Sequence, residues 1–359
     1  MPALEGHLTL RLYRYADAPV RVQVISSRPQ FADRLFRAKT PAETAKLAGQ
    51  VFTLCGRAQH LAAAAACAAA QSNHPDLSAK IFLSEQLRQA VLVETVLEHA
   101  WRLLLDWPAQ AGLPPDMNSL RELRQAATKG PETLADVLDV VLEHQMGPWC
   151  SSAWVRRGDP QGQGGSIHPG GEALLPLMSG GEALLPLMST LSPAETDALA
   201  WQALEDPHFC TRPLWRGQPA ETGALARQQQ HPLLADLLIE RERRIDARWL
   251  ARCLELAELP SQLRRAPTDL LLARSLAENR GYAWVETARG ALLHVVHLVR
   301  DRVLDYRIIA PTEWNFHPAG PFAAGIAALG ETADLAAAAR ALALSLDPCV
   351  SYQVEVVDA

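Results

Sequence analysis

Apolar residues change their spacing along this chain, and that change bounds what it can fold into. His7–Arg14 alternates apolar and polar residues, and Val20–Ser26 does so again after Asp17–Ala18–Pro19, which predicts a hairpin. From Thr40–Pro41–Ala42–Glu43, a capping box with proline at the first helical position, the spacing becomes helical. Cys55–Gly56 interrupts, and the alanine-rich run Arg57–Gln71 resumes it. Ser84–Leu105 reads as a long amphipathic helix ended near Pro108. Two shorter helices follow, one capped by Ser119 with Glu122 and one from Pro131 to His144. Further helices are expected from the capping box Ser192–Pro193–Ala194–Glu195 and over Pro219–Gln229, Pro232–Leu256, Thr268–Glu278 and Thr332–Leu346. Tyr282–Ile309 returns to β-branched and aromatic alternation around Arg289–Gly290. The expected fold class is α+β, predominantly α-helical, with small sheets from the N- and C-terminal regions, in a single domain spanning residues 1–359.

One stretch departs from both periods. A glycine- and glutamine-rich run is followed by GGEALLPLMS from Gly170 and again, unchanged, from Gly180. An in-frame duplication in a tolerant, flexible loop at about 156–190 is favoured over a functional repeat, because surface loops lengthen at small entropic cost.

Bulk properties exclude several function classes. With 34 basic and 40 acidic residues the net charge is −6, so there is no electrostatic footprint for nucleic acid. The most apolar stretch, Leu61–Ala70, is too short to span a bilayer, and Met1–Arg11 lacks the apolar core of a secretory signal. Six cysteines without a CxxC pair argue against a disulfide framework and a zinc ribbon. A reduced, cytoplasmic chain is expected. Taken singly, each cysteine reads as a small buried hydrophobe, and for Cys67, Cys150, Cys210 and Cys253 that reading stands.

Four separated segments give Cys55 and Cys349 a different context. They are Leu4–Glu5–Gly6–His7–Leu8, then Leu54–Cys55–Gly56, then Glu286–Thr287–Ala288–Arg289–Gly290–Ala291–Leu292–Leu293–His294 continuing to Pro311–Thr312–Glu313–Trp314–Asn315, and finally Ser345–Leu346–Asp347–Pro348–Cys349. In this order they resemble the "EGH", "CGxC", "EAPRGALxH … PTTWN" and "SFDPCxxC" landmarks of [NiFe]-hydrogenase large subunits, across nearly the whole chain. In that family each cysteine motif supplies a second, bridging thiolate; here those positions are Ala58 and Tyr352. Neither alanine nor neutral tyrosine can bridge two metals in a soft sulfur site. The family's histidine beyond the first motif is Ala62, with His60 offset by two, and Glu355 stands at the terminal histidine or arginine.

This pattern of kept and lost residues is similar to the HupK/HoxV group of hydrogenase expression and formation proteins. The resemblance implies a non-catalytic maturation scaffold that transiently holds an Fe(CN)2CO unit, with no nickel. Cys55 and Cys349 would be the metal ligands. They match the family's terminal nickel ligands, so iron held here would sit shifted towards them or be held by only one of them. Arg289 and Thr312 would face the cyanides, since a guanidinium offers a rigid fork of donors to an anionic ligand. Glu5 matches a proton-relay carboxylate and would border the cargo, or else make a structural hydrogen bond near Cys55. His7, His294, Trp314 and Asn315 read as packing residues. Implied partners are a HypC-type chaperone, a HypD-type iron protein and the hydrogenase large subunit, with no nucleic acid and no membrane. Two other readings stay open: a metal-free large-subunit mimic that binds maturation factors, and an active hydrogenase large subunit.

Overall fold

A computed structural model describes residues 6–28, 31–72, 85–144, 185–188, 191–239, 244–265, 270–329 and 334–358. The strands are β1 (His7–Arg14), β2 (Arg21–Ser26), β3 (Leu271–Ala277), β4 (Arg280–Thr287), β5 (Gly290–Val299), β6 (Arg302–Ile309) and β7 (Ser351–Asp358). The longer helices are α1 (Pro41–Val51), α2 (Gly56–Gln71), α3 (Glu85–Trp101), α4 (Met117–Lys129), α5 (Pro131–His144), α6 (Pro193–Glu205), α7 (Arg244–Arg265), α8 (Pro321–Ala328) and α9 (Leu335–Leu346). The α+β, mainly helical class expected from the sequence is the one observed.

Two sheets position everything else. One has the order β2-β1-β7, an antiparallel hairpin to which the last strand adds in parallel, from His7 opposite Ser351 to Arg14 opposite Asp358. This pairing brings the backbone just after Cys349 beside the backbone just after Gly6. The other is the antiparallel meander β3-β4-β5-β6.

The alanine run of α2 has a packing explanation. Ala62, Ala63, Ala65, Ala66, Ala69 and Ala70 are all buried, and the helix lies against the meander. A Cβ on Gly281 of β4 would come 2.3 Å from the Ala70 nitrogen. Small side chains on both surfaces therefore let helix backbone and strand backbone approach closely. Among the described residues, no helix is long and apolar enough to cross a membrane.

Several local expectations are corrected. The Thr268–Glu278 segment is not helical where described: β3 pairs with β4, Leu271 opposite Val285 and Ala273 opposite Ala283. Its leucines and alanines favour helix, but edge pairing on a buried meander overrides that weak preference. Within Pro219–Gln229 only Ala224–Gln228 is α-helical, after Gly223 at φ +122°. Where one helix is expected over Pro232–Leu256, Pro232–Leu234 form a 3-10 turn, Ala235–Ile239 a short helix, and α7 runs from Arg244 to Arg265 with Pro260 inside it. α4 is capped by Asp116, whose carboxylate accepts the Asn118 and Ser119 N–H groups, so Ser119 lies inside the first turn. The long helix over Ser84–Leu105 is α3 followed by a π-helical turn, Arg102–Asp106.

Most of the duplicated segment lies outside the described residues. The end of its second copy does not: Pro186 O accepts from Glu221 N at 2.9 Å, Glu221 O accepts from Met188 N at 2.8 Å, and Met188 is buried. That tail is packed rather than looped out.

Candidate functional site

The turn between α1 and α2 carries the first thiol. Thr53–Cys55 form a single 3-10 turn and Cys55 is the N-cap of α2. The two helices approach so closely there that a Cβ on Gly56 would lie 2.6 Å from the Gly49 carbonyl oxygen. Glycine beside Cys55 is thus a steric requirement of the corner. The other thiol, Cys349, follows Asp347–Pro348 at the end of α9 and is buried in the same apolar cluster as Ala58 and Ala62.

Each sulfur has a polar neighbour. Thr312, in the short helix Pro311–Asn315, places its hydroxyl 2.8 Å from the Cys349 sulfur and accepts the Cys349 N–H at 3.0 Å. Gln59, one turn into α2, donates from Nε2 to the Cys55 sulfur at 3.6 Å. The Gln59 Oε1 meets His294 Nε2 at 2.9 Å, and His294 Nδ1 meets the Tyr306 hydroxyl at 2.8 Å. Burial pushes His294 down to about 3, so this buried string is neutral at physiological pH. Burial, then Cys349 and Glu94, push the Cys55 thiol well above its ordinary range, with Arg289 and Gln59 pulling the other way. Cys55 thus lies within electrostatic reach of Cys349.

Arginines gather around Asp347, two residues before Cys349. Arg289 sits in the tight turn between β4 and β5, where Thr287 Oγ1 accepts the Arg289 N–H at 3.2 Å and donates to Gly290 O at 2.8 Å. Its buried guanidinium donates to Asp347 Oδ1 at 3.2 Å and to Glu98 on α3. Asp347 caps α9 in a left-handed conformation, φ +53°. It also receives Arg102 from the π-helical turn at 2.7 Å and Arg252 of α7 at 3.4 Å. Burial opposes the Asp347 charge, but Arg102, Arg289 and Arg252 hold the carboxylate well below its usual range. Burial likewise opposes the Arg289 charge, which Asp347, Glu98, Cys349 and Cys55 reinforce.

Glu94 forms another part of the wall. Its carboxylate accepts the Arg57 N–H at 2.8 Å and the Ala58 N–H at 3.1 Å, and so caps the N-terminus of α2 next to Cys55. Burial nevertheless pushes it up to about 7.

Thr312 bonds the Cys349 sulfur, and Cys55, Cys349 and Arg289 lie within electrostatic reach of one another. Glu5 lies outside the described residues, as does Cys150. Ala58 is buried in the first turn of α2. Tyr352 lies on β7 opposite Leu8 and feels Arg102 and Asp106. Glu355 is turned to Arg11 across the sheet at 2.8 Å. His60 packs against Gly49. His7 bonds Ser351 at 2.9 Å, and Asn315 clamps Thr222 through two 3.0 Å bonds, both of them packing roles.

Sequence reasoning missed Arg28, Gln59, Glu94, Glu98 and Arg102. The last three recur at i, i+4 and i+8 on one helical stretch, a signal that ordinarily marks a solvated face. Among the described residues no group of three or more His, Cys, Asp or Glu is gathered where a metal ion would sit. What the site offers is two thiols with Thr312 and Gln59 bonded to them and the Arg289 guanidinium within electrostatic reach.

The comparisons with known proteins agree with this fold and with the ordered motifs. Residues 243–351 match the family model described as Nickel-dependent hydrogenase. The chain is similar in fold to the Ni-Fe-Se hydrogenase of Desulfovibrio vulgaris Hildenborough, with TM-score 0.60 and 14% identity, covering 93% of this chain and 94% of that one. It is 31% identical to hydrogenase expression/formation protein HoxV of Cupriavidus necator, over 99% of this chain and 97% of that protein. It is 30% identical to hydrogenase expression/formation protein HupK of Rhizobium leguminosarum bv. viciae, over 94% of this chain and 93% of that protein. The chain belongs to the HoxV/HupK family of hydrogenase expression/formation proteins, built on the fold of a [NiFe]-hydrogenase large subunit.

Proposed function

We propose that this protein is a non-catalytic hydrogenase maturation scaffold that holds an Fe(CN)2CO unit on Cys55 and Cys349 and hands it on. The observation that carries this reading is the joint presence of both thiols, Thr312 and Arg289 at one place, with Ala58 and Tyr352 where bridging thiolates would be needed. Two thiolates and two cyanides around ferrous iron leave a charge of about −2, which is costly to bury without facing cations and donors. Arg289 supplies the cation and Thr312 the donor. A cargo that brings three carbon-bound ligands needs only two sulfurs from its carrier, whereas a nickel centre of the hydrogenase type needs four. The names of the relatives support a role in hydrogenase formation. A HypC-type chaperone and a HypD-type iron protein would deliver the unit in the reduced cytoplasm, and the hydrogenase large subunit would receive it.

One observation favours the second reading, a metal-free mimic that docks maturation factors. Arg289 pairs with Asp347 and Glu98, and Thr312 bonds Cys349, so these groups have partners within the protein itself. Metal content decides between the two. Protein purified anaerobically from cells with intact maturation machinery should carry iron without nickel, and Cys55→Ala or Cys349→Ala should remove the iron. Iron-free protein that still co-purifies with maturation factors selects the mimic. Stoichiometric nickel with hydrogen uptake would select an active large subunit.

A further inference from the structure

Arg28 lies outside every motif of the sequence, two residues beyond the end of β2. Its side chain is only 11% exposed. Nη1 donates to both carboxylate oxygens of Glu313 at 2.9 Å, while Nε and Nη2 make no hydrogen bond among the described residues. The backbone here is pinned, since a Cβ on Gly6 would fall 2.6 Å from the Arg28 Cα. Arg28, Ser26, Thr312 and Glu313 line one cavity of about 210 Å³, with Arg212 at its exposed side. This cavity thus shares Thr312 with the Cys349 thiol.

Glu313 also has a meaning in this setting. It stands where the resembling family has the second threonine of "PTTWN", so the carboxylate that fixes Arg28 is a departure of this chain. A largely buried Glu–Arg pair is weak evidence of net stability, so holding a guanidinium at a chosen place is the better account of it. Burial opposes the Arg28 charge, and Cys349, Glu313 and Cys55 reinforce it, which ties Arg28 electrostatically to both thiols.

We propose that Arg28 is a second anion-recognising residue of the thiol site, offering its free Nε–Nη2 edge to a cyanide nitrogen of the cargo from the side of this cavity. Glu313 then acts as a positioning residue that orients the guanidinium through Nη1. The proposal rests on the scaffold reading above, and its test separates the two.

The experiment is infrared spectroscopy, with iron quantification, of anaerobically purified protein co-produced with the maturation machinery, as wild type, Arg28→Gln and Arg28→Lys. Wild type should show one CO and two cyanide bands. Arg28→Gln should shift one cyanide band and lose iron roughly tenfold faster on buffer exchange, as expected when one charge-assisted hydrogen bond is removed. Arg28→Lys keeps a cation beside Glu313, so it should fold and retain iron while still shifting that band, because the planar fork is gone. If Arg28→Gln does not fold, the band position in Arg28→Lys decides. Unshifted cyanide bands with wild-type iron retention overturn the proposal and leave the scaffold standing. A wild-type spectrum without CO and cyanide bands overturns both.

Discussion

The Thr312 hydroxyl is shared between the sulfur of Cys349, 2.8 Å away, and the backbone N–H of the same residue, 3.0 Å away. One side chain thus orients the thiol and satisfies a buried donor. Thr312→Val keeps the shape and removes both bonds. It should destabilise the fold by about 1–3 kcal/mol through the unmet N–H, with Thr312→Ser close to wild type. Urea denaturation of the metal-free protein checks this, and equal midpoints for Val and Ser would contradict it.

Asp347 holds three arginines, Arg102, Arg252 and Arg289, and two of them have other acidic partners in Asp106 and Glu98. Asp347→Asn removes the shared counter-charge and should cost about 3–5 kcal/mol. Because the folded carboxylate is held below its unfolded value, its contribution is present at neutral pH. It fades as pH falls through and below the ordinary carboxylate range. The difference between wild type and Asp347→Asn should therefore narrow in acid, and a pH-independent difference would count against the cage.

Glu94 should behave in the opposite sense. Its folded value, about 7, lies above that of an unfolded glutamate. The protonated form is favoured on folding, so its contribution is full below the unfolded value and is lost as pH rises to about 7. Glu94→Gln removes this titration while keeping an oxygen for one of the Arg57 and Ala58 N–H groups. Between about pH 5 and about pH 8 the variant should gain stability relative to wild type, on the order of 2 kcal/mol. Parallel pH profiles from denaturant melts would rule this out.

Much of the fold was legible because it is written in local signals. Thr40 with Glu43 and Ser192 with Glu195 form both hydrogen bonds of a capping box, and Pro131 opens α5. β3 was not legible, since Leu271–Ala277 has helical composition and becomes a strand only through its neighbour β4. Nor was the parallel pairing of β1 with β7, a contact between the two ends of the sequence. At the candidate site, Cys55, Cys349, Arg289 and Thr312 stand out in the sequence because they sit in ordered motifs. Arg28 and Glu94 sit in none, and only the fold carries them to the thiols.

Either copy of GGEALLPLMS can be deleted with the same resulting sequence, so Leu187 and Met188 still precede α6 and can pair with Glu221. Removing ten residues upstream of that packed tail should change stability by less than about 1 kcal/mol, since loop closure varies slowly with length. A larger drop in the denaturation midpoint would mean that the first copy is itself packed.

The most direct test of the central claim is a transfer assay read by infrared spectroscopy. Protein loaded anaerobically by the maturation machinery is mixed with metal-free hydrogenase large subunit, and the two are separated again. The scaffold account predicts that CO and cyanide bands leave this protein and appear on the large subunit, with no transfer from Cys55→Ala or Cys349→Ala. Bands that stay on this protein, or that never load onto it, would contradict the account.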